Sequence, residues 1–314
     1  MPYSKIIMKW GLIMYLHKEE DFHDVVIEVS RRSGIPEDII EKDYYVTMLL
    51  RELTKKNTDI VFKGGTSLSK AYHVIDRFSE DIDITFTEHI GAAKRKGLKY
   101  KIIQPVSEEL GLSIKNWDKI ESNKDYNRYE FIYESVAEVD NPLPSAVILE
   151  TALMSYSFPT ELKKINSIIY QYIKDSDRQI ASDYGLEPFL MKVQMISRTL
   201  IDKMFAVCDY YMLDKARRNS RHLYDIYKLY PYVTEDDSFY ELVREVRKHR
   251  AEMDIKVAPS ARENVDVKET VNKLCSEDFY KDDYELRTRG LISDDIGYDM
   301  VICFYKELME RVFT

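Results

Sequence analysis

Only 10 of the 314 residues are glycine, yet two of them stand together at Gly64-Gly65, and after fifteen intervening residues comes Asp81-Ile82-Asp83. This pairing constrains the fold more than any other stretch. The preceding "DIVFKGG" is a short apolar run that reads as a buried strand ending at the glycines. "TSLSKAYHVID" reads as a helix starting at Thr66 or Ser67, and "DIDITF" as a strand with alternating faces. Glycines between strand and helix tolerate positive φ and close approach of a neighbour. The N–H groups that open the helix form a ready anion site. Thr66 and Ser67 are placed to cap that helix or to donate to a phosphate. A tight turn with a capped helix accounts for the same residues.

The two aspartates say more. Residues i and i+2 of a strand share a face, so both carboxylates point one way while Ile82 and Ile84 point into the core. Carboxylates this close repel one another unless a cation lies between them. Mg²⁺ is the natural partner, because it takes oxygen ligands, one or two carboxylates together with substrate phosphates. An exposed pair near a sheet edge is the plainer alternative. Glu150, within "VILETALM", is the candidate third carboxylate. A glutamate buried in an apolar strand must be paired, protonated or metal-bound, whereas one on the solvent side of a half-exposed strand needs none of these.

Around this unit the chain changes texture. Residues 20 to 56 carry two helical patterns. The second opens at Gly34-Ile35-Pro36 with Glu37 and Asp38 in its first turn, and Asp43 falls on its apolar stripe of Ile39, Val46, Leu50 and Leu53. The basic run from Ala92 to about Leu110 reads as another helix. "NRYEFIYESVA" and "SAVILETALMSY" read as strands, separated by a turn at Asp140-Asn141-Pro142-Leu143-Pro144. From about Glu187 the pattern is helical almost to the end. The expectation is an α+β chain: a mixed α/β domain with leading helices over 1–165, then a helical domain over 166–314.

Composition narrows the class. With 45% hydrophobic residues the chain can bury a full core. No apolar run approaches the roughly 20 residues that span a membrane, and "GLIMYL" near the start is too short for a signal peptide. Cys208, Cys275 and Cys303 are odd in number and scattered, which suggests neither a disulfide framework nor a zinc site and fits a cytoplasmic location. A net charge of −9 argues against a general duplex-DNA binder. Two local basic runs remain, Lys94-Arg95-Lys96 with Lys99 and Lys101, and Lys215 with Arg217, Arg218 and Arg221. Either run taken alone reads as a solvated helix face.

Gly64-Gly65-Thr66-Ser67 followed by Arg77-Phe78-Ser79-Glu80-Asp81-Ile82-Asp83 resembles the AbiEii/AbiGii toxin family of nucleotidyltransferases. "EKDYYVTMLL" upstream, "RTLIDKMFAV" and "RHLYDIYKL" downstream, and the closing "DFYKDDYEL" and "YDMVICFYKEL" are similar to that family in the same order. The resemblance implies a DNA polymerase β-like nucleotidyltransferase core with a helical C-terminal region. It implies that the Gly-Gly turn holds an NTP through Gly64, Gly65, Thr66 and Ser67, and that Asp81 and Asp83 bind two Mg²⁺ ions, with Glu150 as the third carboxylate. The gap between the glycines and the first aspartate is longer here than is usual in the superfamily. The resemblance further implies roles for Lys203, contacting the triphosphate, and for Asp225, orienting Lys203 or the nucleotide. Its toxins act with a cognate antitoxin, and some relatives modify tRNA ends, so an RNA acceptor is expected, its backbone running along Lys94–Lys101. A protein or small-molecule acceptor would use the same site, and a non-catalytic nucleotide- or partner-binding protein would show no metal dependence.

Two of these residues can be read from helical geometry. At 100° per residue, Ile196, Leu200, Lys203 and Val207 fall within about 60° of one another. A lysine in such a stripe either snorkels to its edge or reaches a buried anion. Asp225 has Arg221 four residues before it and Arg218 seven, the pattern of a surface ion-pair ladder at ~0.3–0.5 kcal/mol per pair.

Overall fold

The computed structural model describes residues 14–75, 77, 81–122, 124–140, 142–154, 156–175 and 178–313. Phe78, Ser79 and Glu80 of the quoted motif, the first three residues of "GLIMYL" and Asn141 lie outside these.

The chain runs α1 (Phe22–Ser33), α2 (Glu37–Lys56), β1 (Ile60–Lys63), α3 (Gly64–Ser67), β2 (Ile82–Phe86), α4 (Ala92–Gly97), α5 (Gln104–Leu110), β3 (Ser113–Ile114), β4 (Tyr126–Ile132), β5 (Ala146–Ala152), β6 (Thr160–Ile165), α6 (Ile168–Ile173), α7 (Arg178–Asp183) and β7 (Phe189–Gln194). There follow α8 (Ile196–Met212), α9 (Arg221–Leu229), α10 (Asp237–Ala251), α11 (Val267–Ser276), α12 (Lys281–Asp283) and α13 (Tyr298–Val312). The seven strands form one mixed sheet in the order β3-β4-β5-β2-β1-β7-β6. The central pairs are β2 with β5 and β1 with β7, both parallel, and β1 with β2, antiparallel.

One face of the sheet is packed. Phe62, Ile82, Ile84, Phe131, Val147 and Leu149 are fully buried there in a cluster with Ile40, Tyr44, Met48 and Leu53 of α2. Alternation along β5 puts Val147, Leu149 and Thr151 inward and leaves Ile148, Glu150 and Ala152 on the half-open face. Glu150 is therefore on the open side of its strand and not in the apolar core. The "EKDYYVTMLL" stretch holds this face together. Glu41, fully buried, accepts the Ser135 hydroxyl and the Val136 N–H, and Asp43 bridges Lys70 Nζ at 2.5 Å and the Ile168 N–H at 2.7 Å.

A second core forms among α8, α9, α10, α11 and α13, joined by Leu68, Val74 and Ile75 from the segment after the Gly-Gly turn. Two strands that the sequence pattern did not suggest, β6 and β7, extend the sheet past residue 160. Lys163 and Lys164 of β6 break its alternation in the way edge strands do. In β7 only Met191, Val193 and Gln194 are buried. The first core reaches Val193, so we propose that the two units meet near Met195 and not at the boundary of 165 expected above.

Candidate active site

The glycine pair is explained by Asp83. Gly64, directly after β1, has φ +77°, a left-handed conformation, and a Cβ placed on it would lie 2.0 Å from Asp83 Oδ2. The missing side chain thus makes room for a carboxylate of the protein itself. The expected helix begins earlier and is shorter than the sequence pattern suggests. It opens at Gly64, passes into a π-helical turn over Leu68–Tyr72 and stops at His73, whose φ is +55°. Thr66 and Ser67 are buried; Thr66 Oγ1 donates to the Asp81 carbonyl at 2.5 Å and Ser67 Oγ to the Gly64 carbonyl at 2.8 Å. Both hydroxyls brace the turn.

Strand register sets the rest. Asp83 lies opposite Lys63 of β1 and beside Glu150 of β5, and Glu150 lies opposite Arg128 of β4. Register partners project to one face, so Lys63, Asp83, Glu150 and Arg128 make a row across four strands with charges +, −, −, +. Burial pushes the Asp83 carboxyl up to about 6; Lys63 and Lys203 oppose the rise, while Glu150 and Asp81 add to it. Tyr126 sits next to Glu150, and its phenol is driven well up by burial and by a hydrogen bond to that carboxylate. Among the described residues no three His, Cys, Asp or Glu side chains alone form a group able to hold a metal ion. Asp83 and Glu150 are adjacent oxygen donors that repel one another, a chemistry that suits a Mg²⁺ whose coordination is completed by substrate phosphates.

Lys203 and Asp225 meet across the second core. Lys203, 7% exposed, places Nζ 2.8 Å from Asp225 Oδ2, so it reaches a buried anion and does not snorkel. Asp225 is fully buried, and Arg77 grips it with Nε to Oδ1 at 2.6 Å and Nη2 to Oδ2 at 2.7 Å. The surface ladder with Arg218 and Arg221 expected from helical spacing is not what forms. Despite its burial, the two cations hold the Asp225 carboxyl far below the usual carboxylate range. Lys203 is lowered by burial, with Asp225 opposing, and its charge reaches Asp83.

Two further groups were not singled out from the sequence. The Lys63 side chain makes no hydrogen bond or ion pair closer than 4 Å with the described residues, although its charge acts on both Asp83 and Asp202. A lysine ending an apolar strand directly before Gly-Gly was the signal available. His222 stacks on Tyr210 with centroids 5.6 Å apart and planes 9° from parallel. Its Nδ1 is buried without a partner among the described residues, and burial, with Lys203 next, holds its pKa well below the usual histidine value. The basic run at Lys94–Lys101 is elsewhere. Lys94 acts on Asp59 beside the start of β1, at the end of the strands away from the Gly-Gly turn. Arg95 pairs with Asp125, and Lys99 is buried, donating to the carbonyls of Trp117 and Ile120.

A family model described as "Nucleotidyl transferase AbiEii toxin, Type IV TA system" matches residues 48–296, which includes every residue of this site. The chain belongs to the AbiEii family. It is a nucleotidyltransferase of the type IV toxin–antitoxin class. Among solved structures, MenT4, a nucleotidyltransferase toxin from Mycobacterium tuberculosis, superimposes with a TM-score of 0.58 at 18% identity, over 92% of this chain and 89% of that one. JHP933 from Helicobacter pylori matches with a TM-score of 0.43 at 15% identity, over 89% of this chain and 93% of that one. No curated protein sequence matches. The likeness to MenT4 shares the AbiEii chain's mixed α/β fold, with its seven-stranded sheet and helical remainder. No helix among the described residues is long and apolar enough to cross a membrane.

Proposed function

We propose that this AbiEii chain transfers an NMP from an NTP to an RNA acceptor such as a tRNA 3′ end, with Mg²⁺ bound at Asp81, Asp83 and Glu150. The observation that carries the reading is the charged row across the sheet, with Asp83 and Glu150 side by side and Lys63 opposite Asp83. Mg²⁺, when bound, neutralises the triphosphate and the developing charge at the reacting phosphorus. The acceptor hydroxyl oxygen attacks the α-phosphorus, the bond from that phosphorus to the α,β-bridging oxygen breaks, and pyrophosphate leaves. The hydroxyl proton passes to the Asp83–Glu150 pair. Little covalent work falls to the protein, so positioning and charge dominate. Gly64 and Gly65 shape the turn that receives the triphosphate, braced by Thr66 and Ser67. Lys63 contacts the leaving phosphates, and Lys203, oriented by Asp225, contacts the triphosphate from the opposite side. As the toxin of a type IV pair, it acts in cells that also make a cognate antitoxin.

The test is a labelling reaction with the purified protein, total bacterial RNA, Mg²⁺ and each α-labelled NTP in turn, beside Asp81→Asn. A tRNA-sized labelled band from the native chain alone supports the reading and identifies the nucleotide. Label on protein, or on no macromolecule, overturns the RNA acceptor; label with Asp81→Asn overturns the metal site.

A further inference from the structure

The loop between α8 and α9, residues 213–220, carries Lys215, Arg217 and Arg218, all exposed, and α9 opens with the half-buried Arg221. None of these four cations makes a side-chain hydrogen bond or ion pair with the described residues. Other surface cations divide: Arg31, Arg32, Lys192 and Arg311 have carboxylate partners, while Lys164 and Lys256, among others, have none with the described residues. Asp214 is the single acid in the segment, which leaves a local charge of +3 on a chain whose net charge is −9.

The loop is also held in shape. Asp283 accepts the Arg218 N–H at 2.9 Å, and the Ser220 N–H and hydroxyl at 3.3 and 2.7 Å. Ser220 Oγ meets Thr288 Oγ1 at 2.7 Å, and Asn219 Nδ2 donates to the Lys215 carbonyl at 2.9 Å. Arg218 takes φ +67° within this clamp. Every one of these contacts uses backbone or small polar groups, so the cationic side chains stay outward on a fixed backbone. The loop joins α8 to α9, whose Lys203 and Asp225 meet at 2.8 Å, and the charge of Arg221 at the start of α9 also acts on Lys203.

We propose that residues 213–220 form the strip on which the phosphate backbone of the RNA acceptor lies as its end enters the site, with Lys215, Arg217 and Arg218 as phosphate contacts. The inference rests on the RNA-acceptor reading and replaces Lys94–Lys101 as the contact surface. Phosphate neutralisation releases counterions, so each contact contributes to the salt dependence of binding, by about 0.7 per phosphate for a single strand.

The experiment measures binding of bulk bacterial tRNA by anisotropy over a series of KCl concentrations, with the full chain, with the triple variant Lys215→Gln/Arg217→Gln/Arg218→Gln, and with Lys94→Gln/Lys96→Gln/Lys101→Gln. The loop variant is expected to lower the magnitude of the log K against log salt slope by about 2 and to weaken binding at least tenfold at low salt. Its NTP affinity and unfolding midpoint should remain those of the native chain, because the clamp is untouched. The Lys94 variant should leave the slope unchanged. An unchanged slope in the loop variant, with native binding intact, overturns the loop assignment alone. A native chain that binds NTP but no tRNA overturns the acceptor reading and the proposal with it.

Discussion

A single hydrogen atom in place of a side chain decides the geometry around Asp83. An alanine at Gly64 would need both a left-handed φ and the space that Asp83 Oδ2 now fills. Gly64→Ala should therefore reduce transfer at least a hundredfold, and the left-handed φ alone costs the fold about 1–2 kcal/mol, with displacement of Asp83 added to it; steady-state rates and chemical denaturation check the two parts. Asp83 itself is a source of instability. Its carboxyl is raised from the ordinary range near 4 to about 6, so the folded state binds the proton more tightly than the unfolded one. The contribution of this group to stability is then greatest below pH 4 and falls as pH rises from about 4 to 6. Asp83→Asn should be more stable than the native chain by about 2 kcal/mol at pH 7.5, with the difference closing toward pH 4. Equal unfolding midpoints at both pH values would contradict the burial that raises this group. Transfer by the native chain should decline below about pH 6 as the same carboxyl takes up a proton.

At the scale of elements, α8 and α9 are joined by the Lys203–Asp225 pair, and Arg77 ties the segment before β2 to both. Removing the carboxylate leaves two buried cations facing each other. Asp225→Asn should cost about 3–5 kcal/mol, a fall in melting temperature of roughly 10 °C, in addition to lost activity. Lys203→Met should cost less, because the Arg77–Asp225 pair survives; a larger loss from Lys203→Met than from Asp225→Asn would contradict this account. The sequence announced the elements around the site well. β1, β2, β4, β5 and α2 follow from alternation and from the Gly-Pro opening at residues 34–36. The shared face of Asp83 and Glu150, by contrast, depends on which strands pair, and β2 with β5 is a parallel pairing across 67 positions that no local pattern encodes. Asp225 misled for the same reason. Its partner Arg77 is 148 residues away, so the nearby arginines at 218 and 221 were the only ones that helical spacing could offer. β7 went unseen because only part of its six residues is buried and α8 follows at once.

For the whole molecule, the site is a pair of adjacent carboxylates, Asp83 and Glu150, set between flanking cations. Millimolar Mg²⁺ should raise the melting temperature of the native chain by several degrees and that of Asp83→Asn by much less, by mass action on the folded state. Chelation should abolish transfer without altering far-UV circular dichroism. A chain with equal melting temperatures in Mg²⁺ and in chelator would not be using these carboxylates for metal. The distances along the chain between Gly64, Asp83, Glu150, Lys203 and Asp225 have another consequence, which concerns synthesis. No product of the ribosome shorter than about three-quarters of this sequence contains the complete set. On the proposed assignment, transfer activity arrives late in translation, once α9 has emerged and Asp225 has met Lys203 of α8.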